Sequence, residues 1–317
     1  MRVLNNTDYK LFERLVSLNQ KEIMKAMEKY LKRKYEKCII TNKYLVALGD
    51  IPIALVAHMD TVFKTPVSHL YYDEKKGVLW SPEGLGADDR AGIFAIIKIL
   101  QKGLRPSIIL TTDEEKGGIG AEALARLNPC PISNLKYMIE LDRQGKDDCV
   151  FYSCYCPEFV DYVESFGFHE QWGSFSDISF LMPKWKICGV NLSVGYKNEH
   201  SYSECLFINN LLDTITKVEK MLKDKNIPNF DYDEVTFVAN SWWKESDTVY
   251  GQHCSKCKKL YSEYELFPVT NSDNKILFYC PDCMVGNVGW CNICQEPFII
   301  EGNHSGSVCE ECMRQNV

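Results

Sequence analysis

Polar side chains with chemical potential stand where apolar runs stop. Ile51–Ala57 runs into His58-Met59-Asp60, and Ser107–Thr111 into Asp113-Glu114-Glu115 and then Gly117-Gly118. Lys136–Leu141 runs into Asp142, and Ile187–Ser193 leads to Gly195-Tyr196-Lys197-Asn198-Glu199-His200. A glycine-rich stretch, Gly84-Leu85-Gly86-Ala87-Asp88-Asp89-Arg90-Ala91-Gly92, approaches a helix start. Singly, each is bland. Asp89 reads as a helix cap, Glu114-Glu115 as a solvated turn, and His200 as a loop residue. Together they matter, because sites in open α/β sheets form beyond the carboxyl ends of strands. Two imidazoles and several carboxylates would then meet in one crevice.

A second set of residues carries a different chemistry. Of 15 cysteines, eight form four Cys-x-x-Cys pairs after residue 250: Cys254/Cys257, Cys280/Cys283, Cys291/Cys294 and Cys309/Cys312. The first two pairs are 22 residues apart and the last two 14. Each couple resembles a four-thiolate zinc ribbon, in which two knuckles clamp one tetrahedral ion. A cross-braced arrangement of alternate pairs is also compatible with the spacing. Residues 251–317 have little core of their own, so bound metal would supply folding energy. Residues 250–317 hold Lys+Arg 5 against Asp+Glu 8, which disfavours nucleic acid as a partner and favours protein contact or self-assembly. The other seven cysteines (Cys38, Cys130, Cys149, Cys154, Cys156, Cys188 and Cys205) have no pattern. An odd, scattered set reads as free thiols in a reducing, cytoplasmic setting. Cys154 and Cys156 would share one face of a strand.

The elements that must position these residues alternate in type. Leu11, Leu15 and Leu18, then Ile23, Met27, Tyr30 and Leu31, recur at helical spacing. Cys38–Leu48 and Tyr71–Trp80 read as hairpins, and Ile51–Ala57 as a buried strand. Helices are expected over Asp89–Leu100, Ala121–Leu127, Glu158–Phe166 and Ile208–Lys223. Strands are expected over Ser107–Thr111, Lys136–Leu141, Val150–Cys154 and Ile187–Ser193. This alternation predicts an α/β fold, a three-layer sandwich on a mixed, largely parallel sheet, with a small zinc-ribbon module after it. The expected division is a catalytic domain over 1–228, a linker over 229–250 and two ribbon-like modules over 251–317.

Five motifs, in chain order over roughly residues 50–225, resemble those of the co-catalytic di-zinc exopeptidases. That group includes peptidase T, the aminoacylase-like amidohydrolases and the single-domain zinc aminopeptidases. The motifs are His58-x-Asp60, Gly86-Ala87-Asp88-Asp89-Arg90-Ala91-Gly92, Asp113-Glu114-Glu115-x-Gly117-Gly118, Glu140-Leu141-Asp142 and Gly195-Tyr196-x-Asn198-x-His200. The resemblance implies two zinc ions bridged by Asp88, one also held by His58 and Asp142, the other by Glu115 and His200. Imidazole nitrogen and carboxylate oxygen are suitable zinc donors, and paired metals can hold a bridging hydroxide and polarise a carbonyl. It further implies Glu114 as general base and Asp60 as the carboxylate that orients His58. Lidded members of the group insert a domain between the last two ligands. Only 57 residues lie between Asp142 and His200 here, so that lid is absent and the single-domain aminopeptidase pattern fits better. Ser176-Asp177 resembles a Ser-Asp pair found between those ligands. Arg143 reads as a surface arginine, with substrate contact as the alternative.

Composition bounds the rest. The chain has 317 residues, 45% hydrophobic and 25% charged, with net charge −7. These values are globular and argue against a general nucleic-acid footprint. No apolar run reaches membrane-spanning length, and the first residues lack a signal-peptide core. The reading is thus a zinc-dependent hydrolase with two catalytic and two structural zinc ions, acting on a peptide or N-acyl amino acid. The competing readings are a non-peptide amidohydrolase or deacylase, and a zinc-ribbon adaptor with a degenerate enzyme domain.

Overall fold

A computed structural model describes residues 3–154, 156–233, 251–262, 266–270, 276–285, 287–291, 293, 297–300 and 312–313. The chain divides into two compact units, Met1–Phe237 and Val238–Val317. The first unit opens with α1 (Asn6–Val16) and α2 (Gln20–Lys32). Asn5 caps α1 by accepting from the Asp8 N–H at 2.9 Å, and Asn19 with Glu22 forms a full capping box on α2. Ile23, Met27 and Leu31, four residues apart, give α2 its single buried stripe.

Strands β1 (Cys38–Ile40), β2 (Tyr44–Ala47) and β3 (Ile51–His58) follow, then the hairpin β4 (Tyr71–Asp73) and β5 (Val78–Trp80). Next come α3 (Ala87–Gln101), β6 (Pro106–Thr111), α4 (Ile119–Ala125), β7 (Tyr137–Arg143), β8 (Asp148–Val150) and α5 (Pro157–Glu164). The unit closes with β9 (His169–Glu170), α6 (Ile178–Trp185), β10 (Cys188–Ser193), β11 (Tyr196–Lys197), β12 (Cys205–Phe207) and α7 (Ile208–Lys223).

Eight strands form one sheet in the order β1-β2-β6-β3-β7-β10-β8-β9. Its centre, β6-β3-β7-β10, is parallel, with Leu55 opposite Ile139 and His58 opposite Thr111. These central strands are buried on both faces over most of their length and are mostly apolar, as a covered parallel sheet requires. Helices cover it from both sides: α3 contacts α7, α4 contacts α6, and β10 touches both α6 and α7. This is the expected three-layer α/β architecture. A second sheet, β11-β12-β5-β4, joins the early hairpin to the segment after β10.

One expectation changes. The strand near residue 150 covers Asp148–Val150, and Phe151–Cys154 turns instead, with Tyr152 at φ 51°. Cys154 and Cys156 therefore do not share a strand face. The chain after Pro228 also packs: the Phe230 ring lies 4.8 Å from Phe159 and 5.3 Å from Tyr162, centroid to centroid. The apolar core thus extends past residue 228. Among the described residues, no helix is long and apolar enough to cross a membrane.

Among the described residues, the second unit contains three antiparallel ribbons and a short helix. They are β13 (Gly251–His253) with β14 (Leu260–Ser262), β15 (Phe267–Thr270) with β16 (Ile276–Tyr279), α8 (Pro281–Met284), and β17 (Val288–Trp290) with β18 (Pro297–Ile299).

Candidate metal centre

The carboxyl ends of the central strands converge. His58 is the last residue of β3, and Asp142 lies near the end of β7. Glu114 and Glu115 sit in one 3-10 turn just beyond β6. Asp88 enters from the first turn of α3, and His200 from the loop between β11 and β12 at φ 60°. His58 Nε2 is 2.8 Å from Asp88 Oδ1 and 3.5 Å from Asp142 Oδ1. His200 Nε2 is 2.9 Å from Glu115 Oε2 and 3.3 Å from Asp88 Oδ2. Two three-residue donor sets result, His58/Asp88/Asp142 and Asp88/Glu115/His200, each with its ligand atoms within 4.8 Å of one another. Asp88 belongs to both, offering one oxygen to each histidine.

Neighbouring groups hold these donors in place. Asp60 Oδ1 lies 3.3 Å from His58 Nδ1, and the Asp60 carboxylate also accepts the N–H groups of Glu114 at 3.0 Å and Glu115 at 3.1 Å. One carboxylate therefore sets both the His58 ring and the Glu114-Glu115 turn. Asp142 accepts from Ser176 Oγ at 3.1 Å and from the Tyr196 hydroxyl at 3.2 Å. Its backbone is gripped by Asn191, which accepts from the Asp142 N–H at 3.0 Å and donates to the Asp142 carbonyl at 2.8 Å. Asp177, beside Ser176, is buried and accepts from the Thr111 hydroxyl.

The glycine-rich segment works through its backbone. Buried Glu204 accepts from the N–H groups of Gly86 at 2.6 Å and Asp88 at 3.0 Å. The Asp89 carboxylate accepts from the N–H groups of Gly92 at 2.9 Å and His58 at 3.2 Å, so it ties the helix start to the end of β3. Gly92 is required for contact: a Cβ there would lie 2.3 Å from the Leu141 carbonyl oxygen. Arg90, buried in α3, donates to the carbonyls of Leu15, Leu18, Met59 and Asp60. It thereby fastens the end of α1 and the chain after it to the His58 loop. The sequence reading gives Tyr196, Asn191 and Glu204 no role, and Asp89 only that of a helix cap. Only Tyr196 and Asp89 lie inside a motif, and no local spacing marks Glu204 or Asn191.

The electrostatics are those of a site built for cations. The Asp88 carboxyl is held well below the usual carboxylate range; burial opposes this, and hydrogen bonds to His200 and His58 prevail. His58 is raised despite complete burial because Asp142, Asp60 and Asp88 surround it. His200 is pushed up to about 11 by its bonds to Asp88 and Glu115. Burial drives Asp142 up to about 7 and Glu114 up to about 9; Asp88 adds at Asp142, and Asp142, Asp177 and Asp88 add at Glu114. Carboxylates outnumber imidazoles here, and Glu115 Oε1 is buried without a partner. A nitrogen–oxygen donor set with a spare buried oxygen and excess negative charge fits zinc ions.

In the second unit, Cys254, Cys257, Cys280 and Cys283 bring their thiols within 4.8 Å of one another, a donor set that fits a tetrahedral thiolate zinc site. Burial raises the Cys254 thiol, but the N–H groups of Cys257, Cys280 and Lys256 outweigh it and pull the thiol down to about 6. Adjacent Cys-x-x-Cys pairs meet at this cluster. Cys291 and Cys312 are buried; Cys294 and Cys309 lie outside the described residues.

Residues 46–166 match the family described as Peptidase family M28, a span that carries His58, Asp60, Asp88, Glu114, Glu115 and Asp142. No curated protein matches the chain by sequence. Among solved structures, the fold is similar to that of a tripeptidase from Staphylococcus aureus, with TM-score 0.55 and 16% identity, over 70% of this chain and 98% of that one. It is also similar to aminopeptidase PepT from Bacillus cereus, with TM-score 0.53 and 16% identity, over 69% and 98%. A TET aminopeptidase from a marine-sediment Thaumarchaeota archaeon aligns with TM-score 0.55 and 12% identity, over 70% and 98%.

Proposed function

We propose that this chain is a zinc-dependent aminopeptidase of the co-catalytic zinc exopeptidase superfamily, a reading that the match of residues 46–166 to Peptidase family M28 supports. The observation that carries the reading is the pair of donor sets sharing Asp88, with Glu114 beside them. One zinc ion would be held by His58, Asp88 and Asp142, the other by Asp88, Glu115 and His200. When bound, the pair would supply Lewis-acid polarisation of the scissile carbonyl.

The chain's own residues do the remainder. Glu114 takes the proton from the attacking water and passes it to the leaving amine nitrogen. Burial and the nearby Asp142, Asp177 and Asp88 raise its carboxyl, and bound cations would oppose that rise and leave it the ionised carboxylate that the step needs. Glu115, adjacent in sequence, is engaged by His200 and is not free for this task. Asp60 orients His58 through Nδ1 and fixes the turn that presents Glu114. Ser176 and Tyr196 hold the Asp142 carboxylate by both of its oxygens.

The second unit is read as a separately metallated module, with one zinc on Cys254, Cys257, Cys280 and Cys283 and a second on Cys291, Cys294, Cys309 and Cys312. The catalytic domain is assigned to residues before the linker, and every proposed catalytic ligand precedes residue 201. A degenerate domain would have no chemical use for a complete donor set with a base beside it. The test is hydrolysis of aminoacyl, N-acyl and dipeptide substrates by the full chain with zinc, cobalt or manganese. Cleavage that requires a free N-terminal amine supports the reading. Cleavage of N-acyl substrates alone replaces it with the deacylase reading, and metal-independent or absent cleavage refutes it.

A further inference from the structure

Near the metal centre, several described cations are already engaged. Arg90 is consumed by backbone carbonyls, Lys116 pairs with Asp113 at 2.7 Å, and Arg143 donates to the Trp172 carbonyl at 3.0 Å. Lys64 is different. It lines a cavity of about 150 Å³ set between the α1–α2 turn, the chain after β3, the segment before α3 and the end of the 3-10 turn. None of the five proposed metal ligands lines this cavity, and neither does Glu114. It is a second concavity of the first unit, beside the metal centre.

The buried part of the cavity is apolar. Val16, Leu18, Val67 and Leu85 supply aliphatic wall, and Phe63 adds an aromatic side. The Phe63 ring seats directly on Gly84, where a Cβ would overlap it and where φ is 86°. An apolar cavity of this size accepts a benzene-sized group. The exposed part is cationic. Lys64 is exposed, and among the described residues its ammonium has no ion-pair or hydrogen-bond partner. Asp60 is the one carboxylate that lines the cavity, and it is already committed to His58 and to the N–H groups of Glu114 and Glu115. The uncommitted charge is therefore the positive one.

The same walls adjoin the turn that carries Glu114 and Glu115. Lys116, the residue after Glu115, lines the cavity. So does Gln20, the first residue of α2, which accepts from the Asp113 N–H at 3.0 Å and donates to the Asp113 carboxylate at 3.3 Å. Asp60 holds the turn from a third side. An occupant would thus touch the residues that fix the turn without touching a metal ligand.

We propose that this cavity is an accessory site for a small monocarboxylate with a phenyl- or isobutyl-sized body, and that its occupant steadies the turn carrying Glu114 and Glu115. The body fills the apolar part, and the carboxylate meets the Lys64 ammonium. The proposal goes beyond the hydrolase reading and does not depend on it, since binding here uses no metal and no reaction.

The test is methyl NMR on the zinc-loaded full chain with labelled valine and leucine methyls, titrated with phenylacetate and with its neutral isostere phenylacetamide. Phenylacetate is expected to shift the Val67 and Leu85 methyls, and the amide to bind there about fivefold more weakly, the scale of one exposed ion pair. Lys64→Gln should weaken phenylacetate by about the same fivefold and leave phenylacetamide unchanged, which also shows that the variant is folded. Lys64→Arg keeps the charge and should keep the affinity. Hydrogen exchange of the amides of residues 113–118 should slow when phenylacetate is added to the wild type, and slow less at the same concentration in Lys64→Gln. Shifts that miss Val67 and Leu85, equal weakening of acid and amide by Lys64→Gln, or unchanged exchange over residues 113–118 would overturn the proposal. Loss of amide hydrolysis by the wild-type chain is a separate result and counts against the enzyme reading instead.

Discussion

Glu204→Gln is the substitution that most sharply separates positioning from chemistry. Glu204 touches no proposed substrate or metal, yet it accepts the Gly86 and Asp88 N–H groups at 2.6 and 3.0 Å from a buried site. Glutamine keeps one acceptor oxygen and turns an amide N–H₂ toward the other donor. One charge-assisted bond is lost, at about 1.5–3 kcal/mol, and a buried N–H is left unsatisfied, at about 1–3 kcal/mol. Relaxation of the loop shares part of this, so a total near 2–4 kcal/mol is a reasonable estimate. Part of it falls on folding and part on the Asp88 position, where about 1.4 kcal/mol is tenfold in metal affinity. Zinc titration against a competing chelator should therefore show at least one catalytic site weakened about 10-fold or more, alongside a lowered thermal midpoint. The four-thiolate site should titrate unchanged. Wild-type zinc affinity and thermal midpoint in Glu204→Gln would refute the claim that this carboxylate holds the Asp88 loop.

Glu114→Gln should retain both catalytic metals and lose activity by about 10²–10⁴-fold, the usual contribution of a general base; near wild-type turnover on the best substrate would remove that role. Gly92→Ala should destabilise the first unit by about 3 kcal/mol or more in denaturant unfolding, because a Cβ there meets the Leu141 backbone carbonyl oxygen and the buried Asp89 carboxylate. A chain ending at Asp233 should fold and bind two metals, whereas one ending at Asp224 should be less stable by about 2–4 kcal/mol, because it loses buried Ile227 and half-buried Phe230. Equal stability of the two truncated chains in urea would show that residues after Asp224 contribute nothing to the core.

Much of the central sheet is legible because its signal is local. Ile51–His58, Pro106–Thr111 and Cys188–Ser193 are mostly apolar runs of strand length, and each places a polar residue at its carboxyl end. The helices with one buried stripe, such as Gln20–Lys32 and Ile208–Lys223, are equally clear from periodicity. Ile178–Trp185 is not, because Pro183 interrupts its pattern. The small sheet is hidden for another reason: Cys205–Phe207 pairs with Val78–Trp80 across more than a hundred residues, and its short strands carry no alternation. The donors brought to the metal centre stand in recognisable motifs. The groups that orient them, such as Glu204, Asn191 and Ser176, act on backbone or on a single oxygen, so no residue spacing is imposed on them. Arg143 shows the same limit, since the partner fixing it is a backbone carbonyl that any residue at 172 could supply.

The central claim is that two metal ions share Asp88, and counting zinc per chain tests it most directly. Native mass spectrometry of the full chain and of Asp88→Ala is the measurement. Two imidazole–carboxylate sets and two thiolate sets predict about four zinc ions in the wild type. Asp88→Ala should lose one or both of the catalytic ions while keeping both thiolate-bound ones. A wild-type chain holding only the thiolate-bound zinc, or an Asp88→Ala variant with an unchanged count, would contradict it.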